Sequence, residues 1–194
     1  MDSSSYPTPT FGLPAGLPVP IDDGACAHLE NTSIPPVALR STSGSAVDVS
    51  ELKGLTIIFC YPRTGAPNEI VPKEWDLIPG ARGCTPQACS FRDSFKELVT
   101  LGVTQIFGLS VQNGPYHDEV KGRLHLPYDL LSDEELAFAK VLNLPTFEWE
   151  GRKLIKRVTI AVRDGKIVKV WYPVFPSDRS AAQVIDWLKG ERND

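Results

Sequence analysis

The chain has 194 residues, with 20 Lys and Arg against 24 Asp and Glu and a formal net charge of −4. Hydrophobic residues make up 42% and charged residues 23%, which argues for a folded domain and against wholesale disorder. The mild acidity argues against nucleic acid as the main partner, and no apolar run is long enough to span a membrane. The first residues lack the basic and apolar regions of a signal peptide, so we expect a cytoplasmic protein.

Residues 1–35 are rich in Pro, Ser, Thr and Gly, which predicts an extended N-terminal arm before one domain at residues 36–194. Within that domain the hydrophobic pattern predicts strands at 37–40, 46–49 and 55–61, a helix at 85–101, a strand at 104–111, a helix at 115–124, a strand at 128–131, a helix at 133–142, strands at 154–163 and 166–172, and a helix at 179–189. This order predicts an α/β protein with a mixed central β-sheet flanked by helices.

Three local signals place the ends of these elements. Thr85-Pro86 is typical of a helix N-cap followed by Pro at the first helical position. Ser132 with Glu135 matches a capping box, and Asp164-Gly165 is a strong hairpin turn. Residues 62–83 contain four prolines and predict an inserted irregular loop before the first long helix, a length of loop that is often functional.

The informative segment is Gly83-Cys84-Thr85-Pro86-Gln87-Ala88-Cys89, which opens that helix. Unpaired backbone N–H groups and the helix dipole stabilise a thiolate there, so Cys84 is a candidate nucleophile. Cys89 lies five residues on, where a regular helix separates the two Cα atoms by roughly 8–9 Å. A disulfide needs about 7 Å or less, so a redox-coupled pair would have to unwind the first helical turns.

The run at residues 83–93, G-C-T-P-Q-A-C-S-F-R-D, resembles the active-site segment of peroxiredoxins of the peroxiredoxin Q or bacterioferritin comigratory protein type. The segments Leu130–Asp133 and Arg157–Ile160, with the Asp164–Ile167 turn, match further family motifs in order and spacing. The resemblance covers roughly residues 35–189. It implies a thioredoxin-like fold and a thiol peroxidase that needs no metal and no organic cofactor.

The same resemblance implies roles for single residues. Cys84 would be the peroxidatic cysteine that attacks hydrogen peroxide or a small organic hydroperoxide and becomes a sulfenic acid. Cys89 would be the resolving cysteine, and thioredoxin or a similar dithiol would reduce the resulting disulfide. Arg157 would be the active-site arginine that stabilises the thiolate and orients the peroxide. The expected assembly is a monomer or a homodimer.

The sequence departs from the family pattern Pro-x-x-x-Thr-x-x-Cys, because Ala81 stands three positions before Cys84. We expect Pro62 and Thr64 to be the equivalent residues, with residues 65–82 bulging out as an extra loop. That loop is a candidate wall of the peroxide pocket, through Trp75 or Arg82. The alternative is that Ala81 has lost the hydroxyl and that another group substitutes for it.

Other interpretations of the cysteines stay open at this point. Cys60 lies inside an apolar strand and is expected to be inert, while Cys26 is expected to be incidental. A zinc site would need a second ligand pair at suitable spacing, which the sequence lacks. The same cysteine pair would also serve a peroxide-sensing regulator without efficient turnover, and a thioredoxin-fold binding module would need no reactive cysteine. A disulfide reductase is disfavoured because its cysteines are usually separated by two residues.

Overall fold

A central β-sheet of seven strands organises the computed structural model, which describes residues 12–192. In chain order the strands are β1 (Ala38–Ser41), β2 (Ala46–Asp48), β3 (Leu55–Cys60), β4 (Val103–Ser110), β5 (Asp129–Ser132), β6 (Thr146–Trp149), β7 (Arg152–Ile155), β8 (Val158–Arg163) and β9 (Lys166–Trp171). The sheet order is β2-β1-β5-β4-β3-β8-β9, while β6 and β7 pair with each other as a separate hairpin. Strands β3, β4 and β5 run parallel and the other pairings are antiparallel, as the predicted mixed sheet requires.

Six α-helices lie around the sheet within the described part of the chain. They are α1 (Lys73–Asp76), α2 (Cys84–Asp93), α3 (Phe95–Thr100), α4 (Gly114–Leu124), α5 (Ala137–Val141) and α6 (Ser180–Glu191). No helix in residues 12–192 combines the length and the apolar character that crossing a membrane requires.

Strand β3 lies at the centre of the sheet and is buried on both faces. Its side chains alternate, so Ile57 and Phe59 pack with helices α2, α3, α4 and α6, while Ile58 and Cys60 pack with α5. This two-sided burial explains the uninterrupted apolar run in the sequence. The carboxyl ends of β3 and β4 therefore meet at one edge, where the chain continues into residues 62–83 and into α4.

The segment before β1 is part of the packed structure from Cys26 onward. Cys26, Leu29 and Ile34 are buried in the core on the α5 side of the sheet. Ser33 forms an isolated antiparallel bridge with Lys166 at the start of β9. Residues 1–11 lie outside the described residues, and the division of the chain into a 1–35 arm and a 36–194 domain stays a prediction.

The helix predicted at 85–101 is two helices, because the backbone breaks at Ser94 between α2 and α3. The predicted cap was also wrong. The cap residue is Gly83, in the left-handed conformation, and Thr85 already lies inside the helix. Pro86 is tolerated in that first turn because the backbone N–H groups there have no carbonyl partner within the helix, so the N–H that proline lacks is not needed.

The helix predicted at 133–142 is shorter, and its predicted capping box is absent. Ser132 belongs to β5, and its hydroxyl donates to the carbonyl oxygen of Gln112. The buried carboxylate of Asp133 accepts the N–H groups of Phe138 and Ala139 at the start of α5 instead. Burial raises the pKa of Asp133, and the bonds to those N–H groups oppose that shift.

The strand predicted at 154–163 is also two strands. Residues up to Ile155 pair with β6, and the chain then enters the central sheet at Val158 as β8. The sequence pattern missed β6 and this change of partner, because periodicity records burial and not the identity of the neighbouring strand. The other predicted strands and helices are confirmed, with ends that differ by a few residues.

Candidate active site

Cys84 is the first residue of α2, and Gly83 holds the helix start with φ of 105°. The Ser177 hydroxyl donates to the Gly83 carbonyl oxygen over 2.9 Å and so fixes this turn. The Cys84 side chain is only 4% exposed. The cysteine thus lies at the positive end of a ten-residue helix, where a thiolate is stabilised by the backbone N–H groups.

Arg157 lies in the gap between β7 and β8 and reaches the same sulfur. Its Nη2 donates to Cys84 Sγ over 3.2 Å. The guanidinium also donates to the carbonyl oxygens of Gly80, Ala81 and Arg82, at 3.2, 3.1 and 3.3 Å respectively. Arg157 lies where the chain passes from the β6–β7 hairpin to the central sheet. From there its side chain contacts both the Cys84 thiol and the end of the 62–83 loop.

Gln87 is a further hydrogen-bond partner of Arg157. The sequence analysis did not predict this contact. Its Oε1 accepts from Arg157 Nη1, and its Nε2 donates to Ser180 Oγ over 3.2 Å. Gln87 is fully buried. The signal was present, since Cys84, Gln87 and Phe91 are spaced as one helical face.

Cys89 lies on the same intact helix and is not bonded to Cys84. It is 7% exposed, and burial raises the pKa of its thiol, while the nearby Arg92 lowers it. A regular helix keeps the two Cα atoms roughly 8–9 Å apart, so a bridge requires the first turns of α2 to unwind. The structure brings the two cysteines into one helix without joining them.

A cavity of about 440 Å³ opens at Cys84. Its lining includes Thr64, Trp75, Arg82 and Trp149, so the 62–83 loop forms one of its walls. Trp75 packs against Phe147 and Trp149 of β6 and is 5% exposed. Both residues named as candidate walls, Trp75 and Arg82, do line the cavity.

Thr64 lines this cavity, but its hydroxyl donates to Gln112 Oε1 over 3.1 Å. The partners of Cys84 Sγ among the described residues are Arg157 and the carbonyl oxygen of Ala81, at 3.6 Å. Pro62 is buried and lines a different cavity of about 350 Å³, together with Arg157. The structure brings Cys84, Cys89 and Arg157 together, and their roles, like those of Thr64 and Pro62, stay predictions.

Two further cysteines lie away from this cavity. Cys60 is fully buried in β3, and burial raises the pKa of its thiol. Burial also raises the pKa of Cys26, to about 12, in a separate shallow depression. Thiols held protonated in this way are poor nucleophiles at neutral pH, in line with the sequence analysis. Within residues 12–192 no group of three or more His, Cys, Asp or Glu side chains is placed to hold a metal ion.

Comparison with known proteins identifies the family of the chain. The family model described as Redoxin matches residues 29–185. The chain belongs to the redoxin family. Among curated redoxins, the chloroplastic peroxiredoxin Q of Gentiana triflora is 32% identical over 182 residues, which are 91% of this chain and 76% of that protein. Peroxiredoxin Bcp of Bacillus subtilis is 29% identical over 80% of this chain and 91% of its own length.

The redoxin matches also place the chain among the peroxiredoxins of the Q and Bcp type. The match to the chloroplastic peroxiredoxin Q of rice is 32% identical, but it spans only 59% of that protein's length. The crystal structure of peroxidoxin BcpB from Mycobacterium tuberculosis superposes with a TM-score of 0.68 at 23% identity, over 84% of this chain and 98% of that one. The thioredoxin-like fold expected from the resemblance is confirmed.

Proposed function

We propose that the protein is a thiol-dependent peroxidase that reduces hydrogen peroxide and alkyl hydroperoxides. The observation that carries the proposal is the hydrogen bond from Arg157 Nη2 to Cys84 Sγ at the start of α2. A fixed guanidinium charge beside a thiol favours the thiolate, which is the nucleophilic form. The cavity at Cys84 provides space for a peroxide beside that sulfur.

In the first step the Cys84 thiolate attacks one oxygen of the peroxide and the O–O bond breaks. The sulfur is oxidised to a sulfenic acid, and the other oxygen leaves as hydroxide or alkoxide and takes a proton from solvent. Arg157 can stabilise negative charge both before and during this step. Its N–H groups stabilise the thiolate before attack and the negative charge that develops on the leaving oxygen.

In the second step the Cys89 sulfur attacks the sulfenic sulfur, a disulfide forms, and water leaves. Because the intact helix separates the two residues, α2 must unwind locally for this step. The raised pKa of Cys89 keeps its thiol protonated in the folded helix, and unwinding also relieves that burial. A thioredoxin-type dithiol would then exchange with the disulfide and restore both thiols.

The relatives support this range of substrates and partners. One solved neighbour, the Xanthomonas campestris bacterioferritin comigratory protein, has alkyl peroxide reduction activity, and it covers 84% of this chain at 20% identity. A monomer or homodimer without metal or organic cofactor is the simplest form that this mechanism needs. A cytoplasmic location stays a prediction, because the plant relatives are chloroplastic by name.

The proposal is tested by intact-mass analysis after one equivalent of hydrogen peroxide. Wild type should lose two hydrogens, Cys89→Ser should gain one oxygen, and Cys84→Ser should stay unchanged. Cys60→Ser is the matched control, since it removes a buried thiol away from the cavity, and it should behave like wild type. Oxidation of Cys84→Ser at the wild-type rate would overturn the assignment of Cys84.

Turnover separates the peroxidase from the peroxide-sensing regulator. With thioredoxin, its reductase and NADPH, a peroxidase consumes many equivalents of peroxide per protein, with the rate set by peroxide concentration. A regulator is oxidised once and then stops. Sustained NADPH consumption that Cys84→Ser abolishes is the expected result, and a single turnover would favour the regulator.

A further inference from the structure

Gln112 makes three hydrogen bonds to Thr64 at the edge of the Cys84 cavity. Its Oε1 accepts the Thr64 backbone N–H at 2.9 Å and the Thr64 hydroxyl at 3.1 Å. Its Nε2 donates to the Thr64 carbonyl oxygen over 3.0 Å. One carboxamide thus bonds to the backbone N–H, the carbonyl oxygen and the hydroxyl of a residue that is 1% exposed.

The backbone of Thr64 fixes which way this carboxamide faces. A flipped amide would set its NH₂ group against the Thr64 N–H and its oxygen against the Thr64 carbonyl oxygen, and both contacts are repulsive. Tyr116 adds a second donor to that carbonyl oxygen, at 3.0 Å. The oxygen of Gln112 therefore faces the Thr64 hydroxyl.

That orientation determines what the Thr64 hydroxyl offers to the cavity. A carboxamide oxygen only accepts, so the hydroxyl proton must point at Gln112. The hydroxyl has one proton, and its remaining capacity is as an acceptor. Because Thr64 lines the cavity at Cys84, a ligand that carries an O–H group can use that acceptor.

Gln112 is itself rigidly placed. Its backbone N–H donates to Ser110 Oγ over 3.2 Å, and its carbonyl oxygen accepts from Ser132 Oγ at 2.7 Å. Both partners belong to the central sheet, in β4 and β5. Gln112 therefore connects the cavity wall to the central sheet.

We propose that Gln112 is a positioning residue for peroxide reduction, which fixes the Thr64 hydroxyl as an acceptor for the peroxide O–H beside Cys84. The inference rests on the proposed peroxidase function. A peroxide is the ligand that such a site suits, because it presents an O–H donor on the oxygen that the sulfur attacks. The hydrogen bond orients the peroxide and does not alter the electron transfer, in which sulfur is oxidised and the O–O bond is reduced.

The test compares two reactions of Cys84 in the Cys89→Ser background, which isolates the first step. Hydrogen peroxide carries O–H groups, whereas iodoacetamide alkylates the same thiolate without any such donor. Peptide mass analysis assigns both products to Cys84. The ratio of the two rate constants removes changes in thiolate fraction and access, which a merely structural role would also produce.

We expect Thr64→Val and Gln112→Met each to lower the peroxide rate constant about tenfold, the loss of one hydrogen bond of about 1.4 kcal/mol, with alkylation changed less than about twofold. The double variant should match the single variants, because both remove the same interaction. Thr64→Ser keeps the hydroxyl and its bond to Gln112, so it should retain the ratio of the parent.

If Gln112→Met does not fold, Gln112→Asn gives the same comparison, since its carboxamide is one carbon too short to reach Thr64. Multiplicative losses in the double variant, or equal falls in both reactions, would overturn the role of Gln112. A parent protein that iodoacetamide alkylates but peroxide does not oxidise would overturn the proposed function, and with it this inference. The two failures are therefore distinguishable.

Discussion

Arg157 and Gln87 are 70 positions apart in sequence, and the guanidinium Nη1 of Arg157 donates to the carboxamide oxygen of Gln87. Gln87 in turn donates to Ser180, whose hydroxyl shares a hydrogen bond of 3.0 Å with Thr159. Helix α2 therefore carries both Cys84 and Gln87, the two side chains that Arg157 contacts there. Unwinding this helix would separate Arg157 from both.

Replacing Gln87 by Met should therefore weaken the reaction without removing a reacting group. Gln87→Met keeps the volume but leaves Arg157 Nη1 without its acceptor, so the guanidinium is less well fixed. We expect the rate constant for oxidation of Cys84 by hydrogen peroxide, measured by stopped-flow tryptophan fluorescence, to fall about tenfold. Gln87→Glu keeps an acceptor and is the matched control. A wild-type rate in Gln87→Met would show that Arg157 needs no such support.

Arg157→Lys tests whether geometry or charge matters at the thiol. Lysine keeps the positive charge but cannot donate at once to Cys84, Gln87 and the carbonyl oxygens of the loop, because its donors sit on a single nitrogen. We expect the peroxide rate constant to fall by about 100-fold. Arg163→Lys, at an exposed ion pair with Glu191, should change it little. Equal effects of the two substitutions would contradict a specific role for the guanidinium.

Among the glycines near Cys84, Gly83 has the least room for a side chain. Its φ of 105° disfavours any other residue, and a Cβ there would lie 2.1 Å from Ser177 Oγ and 2.6 Å from Leu13 Cδ2. Gly83→Ala should lower the free energy of unfolding by about 1–3 kcal/mol, measured by urea denaturation. Gly122→Ala is the control. Gly122 lies in α4 with open space around it, so the same change should be neutral or stabilising.

Much of the fold and the first contacts of the site could be predicted from the sequence. The two-sided apolar run of β3 marked a central strand, and the helix start at Cys84 marked a candidate nucleophile. What stayed hidden depends on partners that are distant in sequence. Neither Gln87 nor Gln112 belongs to a pattern that predicts a polar partner, and each has one only because the fold brings Arg157 or Thr64 to it.

The proximity of Gln112 to Thr64 could still be predicted in principle. Strands β3 and β4 are parallel neighbours, with Cys60 opposite Leu109, so the residues just beyond their carboxyl ends must meet. Thr64 follows one strand and Gln112 the other. Polar residues at the carboxyl ends of adjacent parallel strands are a common place for a site, and this rule would have paired them once the strand order was known.

His117 provides a test of the buried polar network behind the cavity. Its Nε2 lies 2.8 Å from Ser110 Oγ and 3.4 Å from the Tyr61 hydroxyl, and its Nδ1 has no partner among the described residues. Burial lowers the pKa of His117 to about 4. The unfolded chain binds the proton near pH 6.5, so between pH 6.5 and about 4 it binds more protons than the folded one.

The contribution of His117 to stability therefore decreases as the pH falls through that window. The His117 contribution is about 3 kcal/mol between pH 7 and pH 4, from a pKa difference of about 2.5 units. In His117→Gln, which keeps a neutral partner for Ser110, the free energy of unfolding from urea titrations should lose that much less over the same range. His125→Asn removes an exposed imidazole instead and should keep the wild-type pH dependence. An unchanged pH dependence in His117→Gln would mean that His117 binds its proton equally well in the folded and unfolded chains, and would contradict the lowered pKa.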